Sequence, residues 1–183
     1  MNQDSTLERT LVLLKPCIVM RGLMGEIITR FERKGLRIVG MKMLQMSDEM
    51  LEEHYSHLVS KPFFPLLRQS MQASPVVALC IEGLKAVRVV RAMAGVTNGR
   101  DAAIGTIRGD YSMSGQQNVV HASDGPLTAL EELARFFRPD EIFDFGDINL
   151  SVLYAADEVD RRGVIAPRAS ERKRTEDKEI TTI

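Results

Sequence analysis

Residues 75–81 constrain this chain more than any other stretch. After Pro75, the run Val76-Val77-Ala78-Leu79-Cys80-Ile81 has no polar position to turn toward water, and Glu82-Gly83 ends it. A strand apolar throughout belongs in the centre of a sheet. The rest of the chain supplies neighbours for it. Residues 10–14 form a short apolar run, 36–44 an apolar-rich stretch with imperfect alternation, and 118–121 another short strand. Between them the spacing predicts helices. The first covers 22–34, with Leu23, Ile27, Ile28 and Phe31 on one face and Gly35 as its stop. The second covers about 48–58 with Ser47 as N-cap, and a short one opened by Lys61-Pro62 ends near Ala73. The last two span 84–94, with Val87, Val90 and Met93 inward, and 126–137, with Pro126 in the first turn.

The order is βαββαβ with inserted helices. It predicts an α+β, ferredoxin-like sandwich, a four-stranded antiparallel sheet covered by helices on one side. A small doubly wound α/β sheet is the alternative. Residues 1–156 read as one catalytic domain. From 157 the chain has no aromatic residue and alternates charge densely, so 157–183 reads as a charged, solvated tail. Its mixed signs, and a net charge of −1 for the chain, argue against nucleic acid as a partner. No apolar run approaches the ~20 residues of a membrane span. Cys17 and Cys80 show neither metal spacing nor a disulfide framework, which points to the cytoplasm.

Residues 95–117 lack a period and hold Gly95, Gly99, Gly105, Gly109 and Gly115. A loop of that length in a small domain is more often functional than filler. Lys15, Arg91, Thr97, Arg108 and Asn118 lie in or beside it, or at strand ends, where donors and cations suit the oxygens of a triphosphate. Singly, each also reads as a solvated surface group. There is no P-loop and no dinucleotide fingerprint. His121 ends a strand and enters Ser123-Asp124-Gly125-Pro126. It reads either as a strand-end histidine satisfied by hydrogen bonds or as a nucleophile, which needs one ring nitrogen free and the other held by an acceptor. Glu132, two turns into the next helix, is the candidate acceptor; Glu131 points about 100° away. Ser123 and Asp124 also suit helix caps. His54 and His57, at i and i+3, read as a solvated pair without a third metal ligand. Tyr55 either packs or reaches a phosphate. Of Phe63 and Phe64, one reads as core and the other as a ring for stacking on a base.

Several segments, in order, resemble the nucleoside diphosphate kinases over about residues 8–154. They are Glu8-Arg9-Thr10-Leu11-Val12-Leu13-Leu14-Lys15-Pro16, Arg21-Gly22-Leu23-Met24-Gly25-Glu26, Arg30-Phe31-Glu32-Arg33-Lys34-Gly35, His54-Tyr55, Lys61-Pro62-Phe63-Phe64, Gly105-Thr106-Ile107-Arg108-Gly109-Asp110 and Asn118-Val119-Val120-His121-Ala122-Ser123-Asp124. The resemblance implies ping-pong transfer of the ATP γ-phosphate to nucleoside diphosphates. It assigns His121 as the phosphorylated residue, Glu132 as its orienting carboxylate and Ser123 as its neighbour. Lys15, Tyr55, Arg91, Thr97, Arg108 and Asn118 would hold phosphates and ribose, and Phe63 the base. It also implies Mg²⁺ bound through the nucleotide's phosphates, and a homo-oligomer, hexameric or tetrameric. The chain departs from the usual pattern at Cys17-Ile18, at Gly99 (commonly proline), at Gly115 (commonly valine) and at Ala122 (commonly glycine). The departures at Cys17-Ile18 and Gly115 keep one alternative open, a non-enzymatic nucleotide-binding or scaffold protein of the same fold.

Overall fold

The structure is a computed structural model that describes residues 7–145, 150–155 and 157–158. Leu7–Phe145 forms one compact unit; outside it α8 (Leu150–Leu153) is described. The tail expected at 157–183 lies outside the described residues beyond its first two positions.

The apolar run becomes β3 (Val76–Leu84), buried from Val76 to Gly83 and central as expected. It lies between β2 (Arg37–Leu44) and β1 (Leu7–Leu14), and β4 (Val120–Ala122) follows β1, giving the order β2-β3-β1-β4. Every ladder is antiparallel, so the sheet is ferredoxin-like and not doubly wound. β3 continues past its expected end because Glu82 is matched: Arg9 and Arg37 stand opposite it on the two flanking strands and both pair with its carboxylate.

Strand alternation divides the core in two. Val12, Leu14, Leu79 and Ile81 face α2 (Met24–Arg33) and α5 (Ala86–Ala94). Leu11, Leu13, Ala78 and Cys80 face α3 (Asp48–His54), α4 (Phe64–Gln72) and α7 (Pro126–Phe136). The expectation of cover on one side is therefore corrected. The inserted helices and α7 bring Leu51, Leu67, Leu133 and Phe136 onto the second face, which β1 and β3, apolar at successive positions, require.

Two short helices were not legible from spacing. α1 (Pro16–Met20) follows Lys15 directly, and α6 (Ile107–Tyr111) interrupts the glycine-rich loop, with Thr106 Oγ1 accepting from Gly109 N–H as its cap. Arg30 of α2 ties this loop down through Asp110 at 2.6 Å and the Gly105 carbonyl. The helix expected over 48–58 is cut at Tyr55, whose φ of −108° and ψ of 31° leave the helical region; a 3₁₀ turn, Ser56–Leu58, follows. Gly35, at φ +89°, closes α2: its N–H donates to Glu32 and that of Leu36 to Phe31.

Candidate active site

His121 pairs across the sheet with Leu13, so it points to the face covered by α3 and α7. The backbone that delivers it is strained. Val119 sits at φ +63°, and Val120 N–H donates to the Asn118 carbonyl at 2.8 Å, a γ-turn centred on a β-branched residue. Arg108 holds the turn. Its guanidinium donates to the carbonyls of Gly95 at 2.6 Å, Val120 at 2.9 Å and Asn118 at 3.3 Å. Three of its five donors are used, and two remain for a ligand.

Glu132, one side of α7, is nearly buried and accepts at both oxygens. Oε1 meets His121 Nε2 at 2.9 Å and Oε2 meets Ser123 Oγ at 2.6 Å. Burial raises the Glu132 pKa, but the bonds from His121 and Ser123 and the charge of His121 outweigh it, and the net shift is downward. With the carboxylate ionised, Nε2 carries the imidazole proton. Nδ1 is then the bare nitrogen, and among the described residues it has no hydrogen-bond partner.

The helix-cap readings of Ser123 and Asp124 are corrected. α7 has Gly125 at its N-cap, which has no side chain to cap it, and Pro126 in its first turn. Ser123 is fully buried, donates to Glu132 and accepts from Leu11 N–H at 3.2 Å. It is not among the residues that line the cleft and reaches His121 only through Glu132. Asp124 pairs with Arg91.

His121 stands in a cleft of about 760 Å³, which Lys15, Tyr55, Phe63, Arg91, Thr97, Arg108, Gly115, Asn118 and Glu132 also line. The structure thus gathers the expected residues from six segments of the chain, Ser123 alone lying behind the wall. Lys15 is buried; its Nζ donates to Asn118 Oδ1 at 2.6 Å, and burial, helped by Arg108, pushes its pKa down to about 8. Asn118 Nδ2 donates to the carbonyls of Thr97 and Gly115, both at 3.0 Å. Phe64 is buried while Phe63 is 46% exposed at the cleft, dividing the pair between core and mouth. Tyr55 is buried, burial raises its pKa, and its hydroxyl has no partner among the described residues.

His54 is the residue the sequence misassigned. It is not solvated. Its side chain is fully buried, with its ring 4.5 Å from that of His121 and 5.0 Å from that of Phe136. Burial and His121 push its pKa down to about 3, so it is neutral. The signal was present: Leu51, His54 and Leu58 recur at helical spacing, on Leu51's inward face. His57, by contrast, is exposed as expected. His54, His121 and Glu132 bring three ligand atoms within 4.8 Å of one another. Two imidazoles and an already engaged carboxylate do not form the oxygen set that Mg²⁺ prefers.

A sheet that presents a half-buried histidine, backed by a carboxylate and facing lysine and arginine, defines a phosphoryl-transfer site of the histidine-nucleophile class. Comparison with known proteins agrees. Residues 8–142 match the nucleoside diphosphate kinase family. The nucleoside diphosphate kinase of Parabacteroides distasonis is 62% identical over 152 residues, covering 83% of this chain and 99% of that protein. That of Rhodopirellula baltica is 50% identical, covering 83% of this chain and 100% of its own. Among solved structures, the halophilic enzyme from Halobacterium salinarum in complex with CDP superposes with a TM-score of 0.78 at 41% identity, covering 81% of this chain and 99% of that one. The chain belongs to the nucleoside diphosphate kinase family, and is a phosphotransferase that moves the γ-phosphate of ATP to nucleoside diphosphates.

Proposed function

We propose that His121 Nδ1 is the atom that carries the phosphoryl group. The observation supporting this most directly is the 2.9 Å bond between Nε2 and Glu132, which fixes the tautomer and turns the bare nitrogen to the cleft. In the first half-reaction Nδ1 attacks the γ-phosphorus of ATP, the bond to the β–γ bridging oxygen breaks, and ADP leaves. In the second, a diphosphate oxygen attacks the phosphorus, the P–N bond breaks, and the triphosphate product departs with His121 neutral again. Glu132 holds the proton on Nε2 throughout and offsets the charge gained by the ring. Lys15, Arg91 and Arg108 offset the charge spread over the phosphoryl oxygens in flight. Thr97, Tyr55 and Asn118 supply hydroxyl and amide contacts to phosphates and ribose. Phe63 stacks on the base, a contact that reads no hydrogen-bond pattern and so admits purines and pyrimidines alike.

Mg²⁺ would be held mainly by the nucleotide's own phosphates, with little ligation from the protein, and would offset their charge. Three of the cleft's carboxylates are already engaged, which supports this: Glu132 with His121 and Ser123, Asp124 with Arg91, and Glu53 with Arg135. We further propose one catalytic domain over residues 1–156 with a separate charged tail at 157–183, a homo-oligomer, hexameric or tetrameric, and a cytoplasmic setting suited to the two free cysteines.

Brief exposure to ATP and Mg²⁺ should leave an acid-labile phosphate on His121, and His121→Ala should abolish both the label and transfer to a diphosphate. Transfer at the native rate by His121→Ala would overturn the assignment.

A further inference from the structure

We infer that Arg135 is a positioning residue that fixes the tautomer of His54 and so keeps His121 as the only imidazole donor to Glu132. The inference rests on the reading of His121 as phosphoryl carrier. Arg135 lies three residues after Glu132 on α7, so both side chains leave the same helix face. Its Nε donates to Glu53 Oε1 at 2.8 Å, and its Nη1 reaches His54 Nδ1 at 3.5 Å. Glu53 and His54 are neighbours at the end of α3, so one guanidinium ties α3 to α7 beside the carboxylate that orients His121.

A guanidinium only donates. Its contact with His54 therefore requires a bare Nδ1 and puts the ring proton on Nε2, an atom with no partner among the described residues. Without Arg135 the preference reverses. Nδ1 lies 3.9 Å from Glu132 Oε1, and a carboxylate draws a proton to the nitrogen that faces it. His54 with its proton on Nδ1 would give Oε1 a second donor beside His121 Nε2. The electron density that Glu132 lends to His121 would then be shared, and Nδ1 of His121 would be the poorer nucleophile. Since burial keeps His54 neutral, its tautomer is the variable and not its charge.

The chain has three histidines, so isotope-labelled histidine and two-bond proton–nitrogen spectra resolve each ring, with exposed His57 as internal reference. The native protein should show His54 protonated at Nε2. Arg135→Met should move that proton to Nδ1 and slow phosphorylation of His121 by Mg·ATP roughly fivefold, with the nucleotide KM unchanged. Arg135→Lys, which restores a cationic donor, should recover both the tautomer and most of the rate. A native His54 protonated at Nδ1 would overturn the inference. So would an Arg135→Met protein with unchanged tautomer, or with an unchanged phosphorylation rate. Failure of the underlying reading looks different: His121→Ala would still be phosphorylated and transfer phosphate, whatever the spectrum of His54.

Discussion

Ser123 and His121 share one carboxylate, Ser123 at 2.6 Å from Glu132 Oε2 and His121 at 2.9 Å from Oε1. Each bond fixes the other, because a carboxylate held at both oxygens cannot rotate. Ser123→Ala would leave Oε2 buried and unmatched. It should slow formation of the phosphohistidine roughly tenfold while nucleotide affinity holds, as rapid-quench measurement would show. Glu132→Gln should cost more, on the order of a hundredfold, since an amide offers His121 no charge to balance. Equal and small effects from both variants would mean that His121 does not depend on this carboxylate.

Lys15 makes activity and stability run in opposite directions with pH. Its pKa is about 8, below its ordinary 10.5, because burial disfavours the ammonium. As pH rises through about 8, kcat/KM for the triphosphate should fall. Lys15→Arg, which stays charged, should remove that fall even if its basal rate is lower. For stability the sign is the reverse. Between about 8 and 10.5 the unfolded chain binds the Lys15 proton and the folded protein does not, so this group's contribution to stability rises with pH. In denaturant titrations the native protein should gain stability relative to Lys15→Met as pH rises across that window.

Gly115 lines the cleft without a side chain. A Cβ built there meets nothing nearer than Asn98 Oδ1 at 3.7 Å, an ordinary contact. Gly115→Val should therefore fold normally and lower the nucleotide KM about two- to fivefold by covering the base face that Phe63 leaves free. A KM that rises, in steady-state assays with several bases, would show that the gap itself is used.

Gly99 behaves differently. A Cβ there would lie 2.4 Å from the Ser112 carbonyl oxygen, and its N–H donates to Ser114 at 3.2 Å. Proline, the commoner residue of the family, would lose the bond and meet the carbonyl. Gly99→Pro should destabilise the folded protein by about 2–4 kcal/mol in chemical unfolding. The departure is thus a local repacking, matched by the loop segment 112–117.

The fold was legible because β3 had to be central and the strands around it were marked by apolar runs. The helices α1 and α6 were not, each being five residues long and stabilised by what surrounds it: the end of β1 in one case, Arg30 and the Thr106 cap in the other. Family motifs found the cleft residues. They did not reveal which face each side chain takes. Ser123 looked like a cap because its sequence neighbours are turn formers, yet Leu11 and Glu132, distant in the chain, decide its bonds. His54 looked solvated because Glu52 and Glu53 precede it, although Leu51 marks the inward face.

The cations of the cleft already have protein partners: Lys15 holds Asn118, Arg91 holds Asp124, and Arg108 holds three carbonyls. A nucleotide arriving there would exchange one oxygen for another at Lys15 and Arg91, while Arg108 would keep its carbonyls and offer its two remaining donors. The charged groups stay where they are between visits. For a catalyst that must release one nucleotide before it admits the next, such trading keeps the door from sticking: the departing product hands its contacts back to the protein.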